Sequence, residues 1–198
     1  MPHNNKSRFG SEPPHRHGQG GRVGILYCNL GTPDSPSKGD VRRYLAEFLS
    51  DHRVVEIPRL IWWFILHGII LRFRPGASAA KYASIWTAEG SPLLVWTRKQ
   101  AAALEQSMQE AGQQVTVRHA MRYGSGAIGD TLDALKAEGV NRILVLPAYP
   151  QYSGTTTASV FDAVYAWAAR TRSIPELRFV NRYHDHTAYI DALAQSIR

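Results

Sequence analysis

At 198 residues the chain is long enough for one sizeable α/β domain or a large half of something bigger. Hydrophobic residues at 44% and charged residues at 20% mark a soluble globular protein, and a single cysteine, Cys28, excludes an intramolecular disulfide and fits a reducing compartment. The net charge of +7 is scattered in small clusters such as Arg42-Arg43, which suits an ordinary surface, an acidic ligand or an anionic membrane.

Residues 1–21, rich in Pro, Gly, His and polar side chains, lack the apolar core of a secretory signal and read as a disordered tail. The spacing of His3, His15 and His17 suits no ordered metal site. "RVGILYCNL", 22–30, predicts a first strand, ended by the dense turn signal "GTPDSP". Helical spacing of Val41, Tyr44, Leu45 and Phe48 predicts a helix over 38–50. "LIWWFILHGIIL", 60–71, is the longest apolar run, yet too short for a membrane span, which needs ~20 residues. Bracketed by Arg59, Arg72 and Arg74, it reads either as a buried helix or as a greasy lip touching a membrane surface or hydrophobic ligand. Helices over 76–86 and 92–111 follow, then a strand over 114–121 and a helix over 129–140 closed by Gly139. A fully apolar strand over 142–149, a helix over 155–172, a strand over 176–183 and a last helix over 185–198 complete the chain. This alternation predicts an α/β fold in which a parallel sheet is flanked by helices, a Rossmann-like three-layer arrangement.

Ligands of open α/β sheets bind beyond the carboxyl ends of the strands, so the loops at 30–37, 122–126, 149–156 and 184–186 are the ones to examine. "GSGAIG", 124–129, satisfies G-x-G-x-x-G, but Met121, Arg122 and Tyr123 intervene between strand and glycines, and no carboxylate lies about 20 residues on to meet a ribose. It reads as a flexible start to a helix. "YPQYSGTTTAS", 149–159, is richer: Pro147 and Pro150 stiffen the strand's exit, Tyr149 and Tyr152 offer flat faces with polar tips, and Ser153, Thr155, Thr156 and Thr157 place hydroxyls at a helix start. Capping accounts for one such hydroxyl, not for four beside two tyrosines. The loop suits a large flat ligand with acidic substituents, for which Arg72, Arg74 and Arg122 are candidate carboxylate partners.

"GILYCNLGTPDSP", "KYASIWTAEGSPLLVWTRKQAAAL", "MRYGSG" and "LVLPAYPQYSGTTTAS" together resemble the ferrochelatase family, bacterial type, over residues 22–198. The resemblance implies a chelatase-like fold of two similar domains, of which 22–198 is the first and the second is absent or truncated. It implies insertion of ferrous iron into protoporphyrin IX to give protoheme, with iron and porphyrin as substrates, no tightly bound cofactor and no nucleic acid partner. A coproporphyrin substrate and a non-catalytic porphyrin-binding module are the alternatives. Carried over by position, Leu30 lines the cleft, Arg74 (or Arg72) and Ser91 lie near the propionates, and Arg122, Tyr123, Tyr149, Ser153 and Thr155 form the polar floor. The run containing Ile61, Trp62, Ile65 and Leu71 matches the hydrophobic lip, and residues 60–74 are the expected site of peripheral membrane contact for a cytoplasmic protein.

The family's iron-handling histidine, in a Phe-Ser-x-His-Gly type motif, and its downstream glutamate do not occur here, so no catalytic or metal-binding residue is expected in this chain, and the chain alone is expected to be inactive. His184 and His186 in "RYHDH" flank a helix start and have no third ligand in sight. His119 reads as core or sheet surface, and His52 and His67 have no partners in the sequence.

Overall fold

The structure is a computed structural model describing Phe9, Glu12, Pro13 and residues 20–198. Most of the expected tail, including His3, His15 and His17, lies outside the described residues. Within them, the Glu12 carboxylate pairs with Lys136 Nζ at 2.5 Å and accepts the amides of Arg172 and Ser173 at 3.0 and 3.1 Å.

Four strands, β1 (Arg22–Thr32), β2 (Val115–Gly124), β3 (Val140–Pro147) and β4 (Glu176–Phe179), form one all-parallel sheet in the order β2-β1-β3-β4. The helices are α1 (Lys38–Ser50), α2 (Arg59–Ile65), α3 (Leu71–Ile85), α4 (Pro92–Glu110), α5 (Ile128–Ala137), α6 (Ser159–Ala168) and α7 (Thr187–Ile197). Alternation along β1 and β3 splits the core: Leu26, Cys28, Ile143 and Val145 pack under α5 and α6 with Leu132, Val164 and Trp167, whereas Ile25, Tyr27, Leu144 and Leu146 face α4. A separate cluster at the exit of β2 joins Val41, Tyr44 and Leu45 of α1 to Leu66, Leu71, Ala79 and Tyr123.

The expected class holds, with local differences that have physical reasons. β2 runs to Gly124, so Arg122 and Tyr123 belong to the strand rather than to a loop. The extra length is possible because Gly31 and Gly124 adopt φ of +111° and +80°; a Cβ at Gly31 would lie 1.9 Å from the Tyr123 carbonyl oxygen. β3 stops at Pro147, which has no N–H to continue the ladder. β4 ends at Phe179, although the amides of Val180 and Tyr183 still reach the carbonyls of Val145 and Pro150. The lip does not end at Leu71: α2, a π-helical turn (Leu66–Ile70) and α3 follow one another without a break from Arg59 to Ile85. Pro75 lies inside α3 and cannot donate to the Leu71 carbonyl; Arg42 Nε does so instead, at 3.1 Å. The helix expected over 155–172 is α6 preceded by a second π-helical turn, Gly154–Ala158.

The two sheet faces are unequally covered. On the α4 side, Tyr27, Gln100, Leu104, Leu146, Val180 and Tyr183 line a shallow apolar hollow. No residue of α7 is buried, and its Ile190, Leu193 and Ile197 are exposed. No helix among the described residues is long and apolar enough to cross a membrane.

Candidate functional site

The parallel register brings three strand exits together. Gly31 of β1 sits opposite Tyr123 of β2, and Cys28 of β1 opposite Pro147 of β3, so Leu30, Arg122–Tyr123 and the loop beginning at Tyr149 leave the same sheet edge. Leu30 is half-buried against the cluster that contains Tyr123. Phe48 meets the Tyr123 ring edge-on at 5.2 Å.

Beneath this edge lies a polar knot centred on Asp51, the residue that closes α1 and is only 9% exposed. Its Oδ2 accepts from Ser159 Oγ at 2.5 Å, Tyr123 Oη at 2.6 Å and Arg122 Nη2 at 2.7 Å, while Oδ1 accepts the Arg53 amide at 2.7 Å. Arg122 Nε donates in turn to the Ser159 hydroxyl and carbonyl, at 2.7 and 2.9 Å. Burial alone would raise the Asp51 carboxyl. The hydrogen bonds from Ser159, Tyr123 and the Arg53 amide, with the Arg122 charge, outweigh it and hold the group below the usual carboxylate range. Burial, and then the bond to Asp51, pushes the Tyr123 phenol up, so it stays a donor. Outside the knot, Arg53 grips Asp162 with two bonds, 2.7 and 3.1 Å, and His52 lies 3.8 Å from both Asp51 and Asp162.

A second pair of bonds fixes α4 onto the end of β1. Thr32 donates to the Ser91 hydroxyl at 2.9 Å, and Asn29 Nδ2 donates to Thr97 Oγ1 at 2.9 Å. Ser91 opens α4 and is 3% exposed, so its hydroxyl serves this tie. In the hydroxyl-rich loop, Ser153 opens the π-helical turn, accepts the Thr155 amide at 3.3 Å and bonds the Thr155 hydroxyl at 3.0 Å. The buried hydroxyls of Tyr149 and Thr157 have no hydrogen-bond partner among the described residues. Burial, followed by the nearby Cys28, Tyr123 and Tyr27, raises the Tyr149 phenol.

Leu30, expected in the cleft, and Arg122, Tyr123 and Tyr149, expected in its floor, leave one edge, with Ser153 and Thr155 on the loop that follows it. Tyr123 corrects the expectation, being 1% exposed with its hydroxyl held by Asp51 and Ser159. Arg122 engages Ser159 through Nε and Asp51 through Nη2, so its charge is already balanced by the Asp51 carboxylate. Arg72 and Arg74 are exposed and make no ion pair among the described residues. Of the expected lip, Ile61 is exposed, Ile65 is half-buried, and Trp62 is half-buried with its indole N–H donated to the Leu49 carbonyl at 2.6 Å. Leu71 corrects the expectation: at 3% exposure it packs among the core residues joining α1 to α3. The apolar surface is made by Leu60, Ile61, Trp63, Phe64, Ile69 and Phe73 instead.

The glycine-rich loop after β2 is filled from within. The Gly124 amide donates to the Glu47 carboxylate at 2.8 Å, and Ser125 bonds Asp34, so acidic side chains stand where a pyrophosphate would need to be. Among the described residues no three His, Cys, Asp or Glu side chains gather as a metal site.

Asp51 and Ser159 were not among the sequence candidates. An acid placed directly after the apolar stripe of α1, and a serine ending the run "TTTAS", are the only local signals they leave.

The chain is a three-layer α/β domain with its strand exits gathered over a saturated polar knot, beside a bared apolar helix, and open α/β sheets hold their ligands at that carboxyl edge. The ferrochelatase family model matches residues 22–198. The chain is 64% identical over 194 residues to a ferrochelatase of Polaromonas sp., covering 96% of this chain and 53% of that protein. It is 67% identical over 186 residues to one of Methylibium petroleiphilum, covering 94% and 51%, and 49% identical over 198 residues to one of Marinobacter nauticus, covering 100% and 52%. The chain belongs to the ferrochelatase family, and it spans about half the length of the curated relatives it matches.

Proposed function

We propose that this chain is the porphyrin-holding part of a ferrochelatase, the enzyme that inserts ferrous iron into protoporphyrin IX. In the complete reaction, Fe²⁺ binds the four ring nitrogens as two pyrrole N–H protons leave, giving protoheme and two H⁺. A base must take those protons, and in this reading it comes from sequence outside this chain. The chain's own share is to pack the ring, anchor its carboxylates and hold it bent so that its nitrogens are exposed; strain of that kind counts toward the transition state.

The observation that carries the reading is the convergence of Leu30, Tyr123 and Tyr149 on one sheet edge through the β2-β1-β3 register. Leu30 packs against the ring, the half-buried Tyr149 walls the same edge, and the Asp51 knot keeps the floor rigid. Arg74 or Arg72, both exposed on α3, takes the propionate role. The exposed apolar side chains from Leu60 to Phe73 guide the macrocycle in and give the protein its peripheral membrane contact.

Titrating the chain with protoporphyrin and following the Soret band tests the reading. A saturable shift at micromolar porphyrin, weakened by Arg74→Ala and Leu30→Asp, is expected; no shift eliminates it. Metal insertion by the chain alone would contradict the division of labour, and tight binding without insertion is equally expected of a non-catalytic porphyrin-binding module. Mixing the chain with the remaining half of a relative separates these two: only the first regains insertion.

A further inference from the structure

Beside the lip, and separate from the strand exits, lies a hollow walled by Trp62 and Trp63 and edged by His52, Arg59 and His67. None of Leu30, Tyr123 or Tyr149 lines it. Its polar rim includes the Arg59 guanidinium and the His67 imidazole, whose ring is held 5.0 Å from that of Trp63, while both His52 ring nitrogens face the carboxylates of Asp51 and Asp162. Trp62 spends its N–H on Leu49, so it contributes a wall rather than a donor.

The surroundings carry a net positive charge. Residues 57–88 contain Arg59, Arg72, Arg74 and Lys81 and no carboxylate, and the acid at the hollow's own edge is Glu56, between the lining residues Val55 and Ile57. The acids nearest His52, Asp51 and Asp162, are each already matched by an arginine, Arg122 and Arg53. On the same segment Leu60, Ile61, Phe64, Ile69 and Phe73 stand in solvent, Leu60 at 73% and Phe73 at 78% exposure. Bared apolar side chains next to uncompensated arginines are the pattern of a segment that lies in the interface of a negatively charged bilayer.

We propose that this hollow seats the phosphate of an anionic phospholipid headgroup, so that the lip docks on anionic rather than neutral membranes. The guanidinium of Arg59 and the imidazole of His67 meet the phosphate oxygens, while Leu60, Ile61 and Phe64 enter the acyl boundary alongside. The inference rests on the membrane-contact part of the proposed function and not on its porphyrin part.

Co-sedimentation of the chain with phosphatidylcholine vesicles, with and without about one-third phosphatidylglycerol, is the test. Binding about tenfold or more stronger to the anionic vesicles, and lost at high salt, is expected. Arg59→Glu combined with His67→Ala brings binding down to the neutral-vesicle level, with the thermal midpoint unchanged because both side chains are exposed. Phe64→Ser lowers binding to both vesicle types alike. Equal partition into both vesicles, or an Arg59→Glu/His67→Ala protein that keeps the anionic preference, overturns the seat. Thermal protection by inorganic phosphate alone, without vesicle binding, reassigns the hollow to free phosphate and overturns it too. The Soret titration is expected to be the same in parent and Arg59→Glu/His67→Ala proteins. A parent that binds vesicles but not porphyrin sinks the proposed function and leaves the seat standing; the reverse outcome sinks the seat alone.

Discussion

Two regions a few residues apart in sequence solve opposite physical problems. The knot around Asp51 is dry and polar, with both carboxylate oxygens engaged by named donors. The lip, beginning at Arg59, is wet and apolar, with large side chains left in solvent. They are joined by hydrogen bonds from the Trp62 indole to the Leu49 carbonyl and from Arg42 to the Leu71 carbonyl, and by the cluster that packs Tyr123 with Leu66 and Leu71. A buried charge is tolerated only when its donors are all in place, so the knot admits one geometry. An exposed apolar surface imposes none. A floor that must present Leu30 and Tyr149 at fixed positions belongs on the first kind of structure, and a mouth that must admit a large flat molecule belongs on the second.

The sharpest way to break the comparison is to remove the centre of the knot. Asp51→Leu leaves Arg122 half-buried without its anion and strips acceptors from Tyr123 and Ser159; a loss of about 3–5 kcal/mol in urea unfolding is expected. Replacing Arg122 by Met in the same chain recovers part of that loss, because the orphaned cation goes with it. The sign with pH follows from the lowered Asp51 carboxyl. A depressed folded value stabilises fully above the unfolded carboxylate pKa of about 3.9 and is lost as pH falls through the folded value. The stability gap between parent and Asp51→Asn therefore narrows on acidification; a gap that widened would mean that Asp51 is protonated in the folded protein.

Next in size is a contrast between neighbours. Leu71→Ala opens a cavity between α1 and α3 and costs about 2–5 kcal/mol. Phe73→Ala, two residues on and 78% exposed, changes stability by less than about 0.5 kcal/mol. Equal effects would dissolve the division between core and lip within one helix.

That contrast also marks where the sequence stopped being readable. Apolar spacing placed α1 at its observed bounds, because a stripe such as Val41, Tyr44 and Leu45 is a local pattern. The same spacing cannot separate Leu71 from Phe73 when nearly every residue of "LIWWFILHGIIL" is apolar. The strand exits were legible from Pro147 and the clustered turn residues, and the family's motifs marked Leu30, Arg122 and Tyr149. The Asp51 knot was not: the side chains that donate to Asp51 lie 71 to 108 positions away, and no local signature announces a partner at that distance. The ties of Arg122 were hidden for the same reason: its bonds to Asp51 and Ser159 cross 71 and 37 positions.

A smaller effect is expected at the Pro75 break. Arg42→Ala leaves the Leu71 carbonyl without its donor, at a cost of about 1 kcal/mol. Adding Pro75→Ala restores a backbone N–H to that carbonyl, so the double variant is expected to unfold close to the parent. Non-recovery would show that Arg42 acts by packing rather than by replacing the missing donor.

The smallest effect on folding is expected where the exposed surface is largest. Phe64→Ser and Phe73→Ser together remove two large apolar side chains from solvent, each more than half exposed. Neither contributes to the cluster that holds α1 to α3, so the unfolding midpoint in urea stays within about 0.5 kcal/mol of the parent. What changes is the behaviour of the folded state. A contiguous apolar patch drives self-association as readily as it drives ligand or membrane contact, so the double variant scatters less light on warming below its unfolding transition. If stability falls by several kcal/mol instead, the lip is packed surface rather than open surface, and the contrast between a fixed floor and an unconstrained mouth fails at its second term.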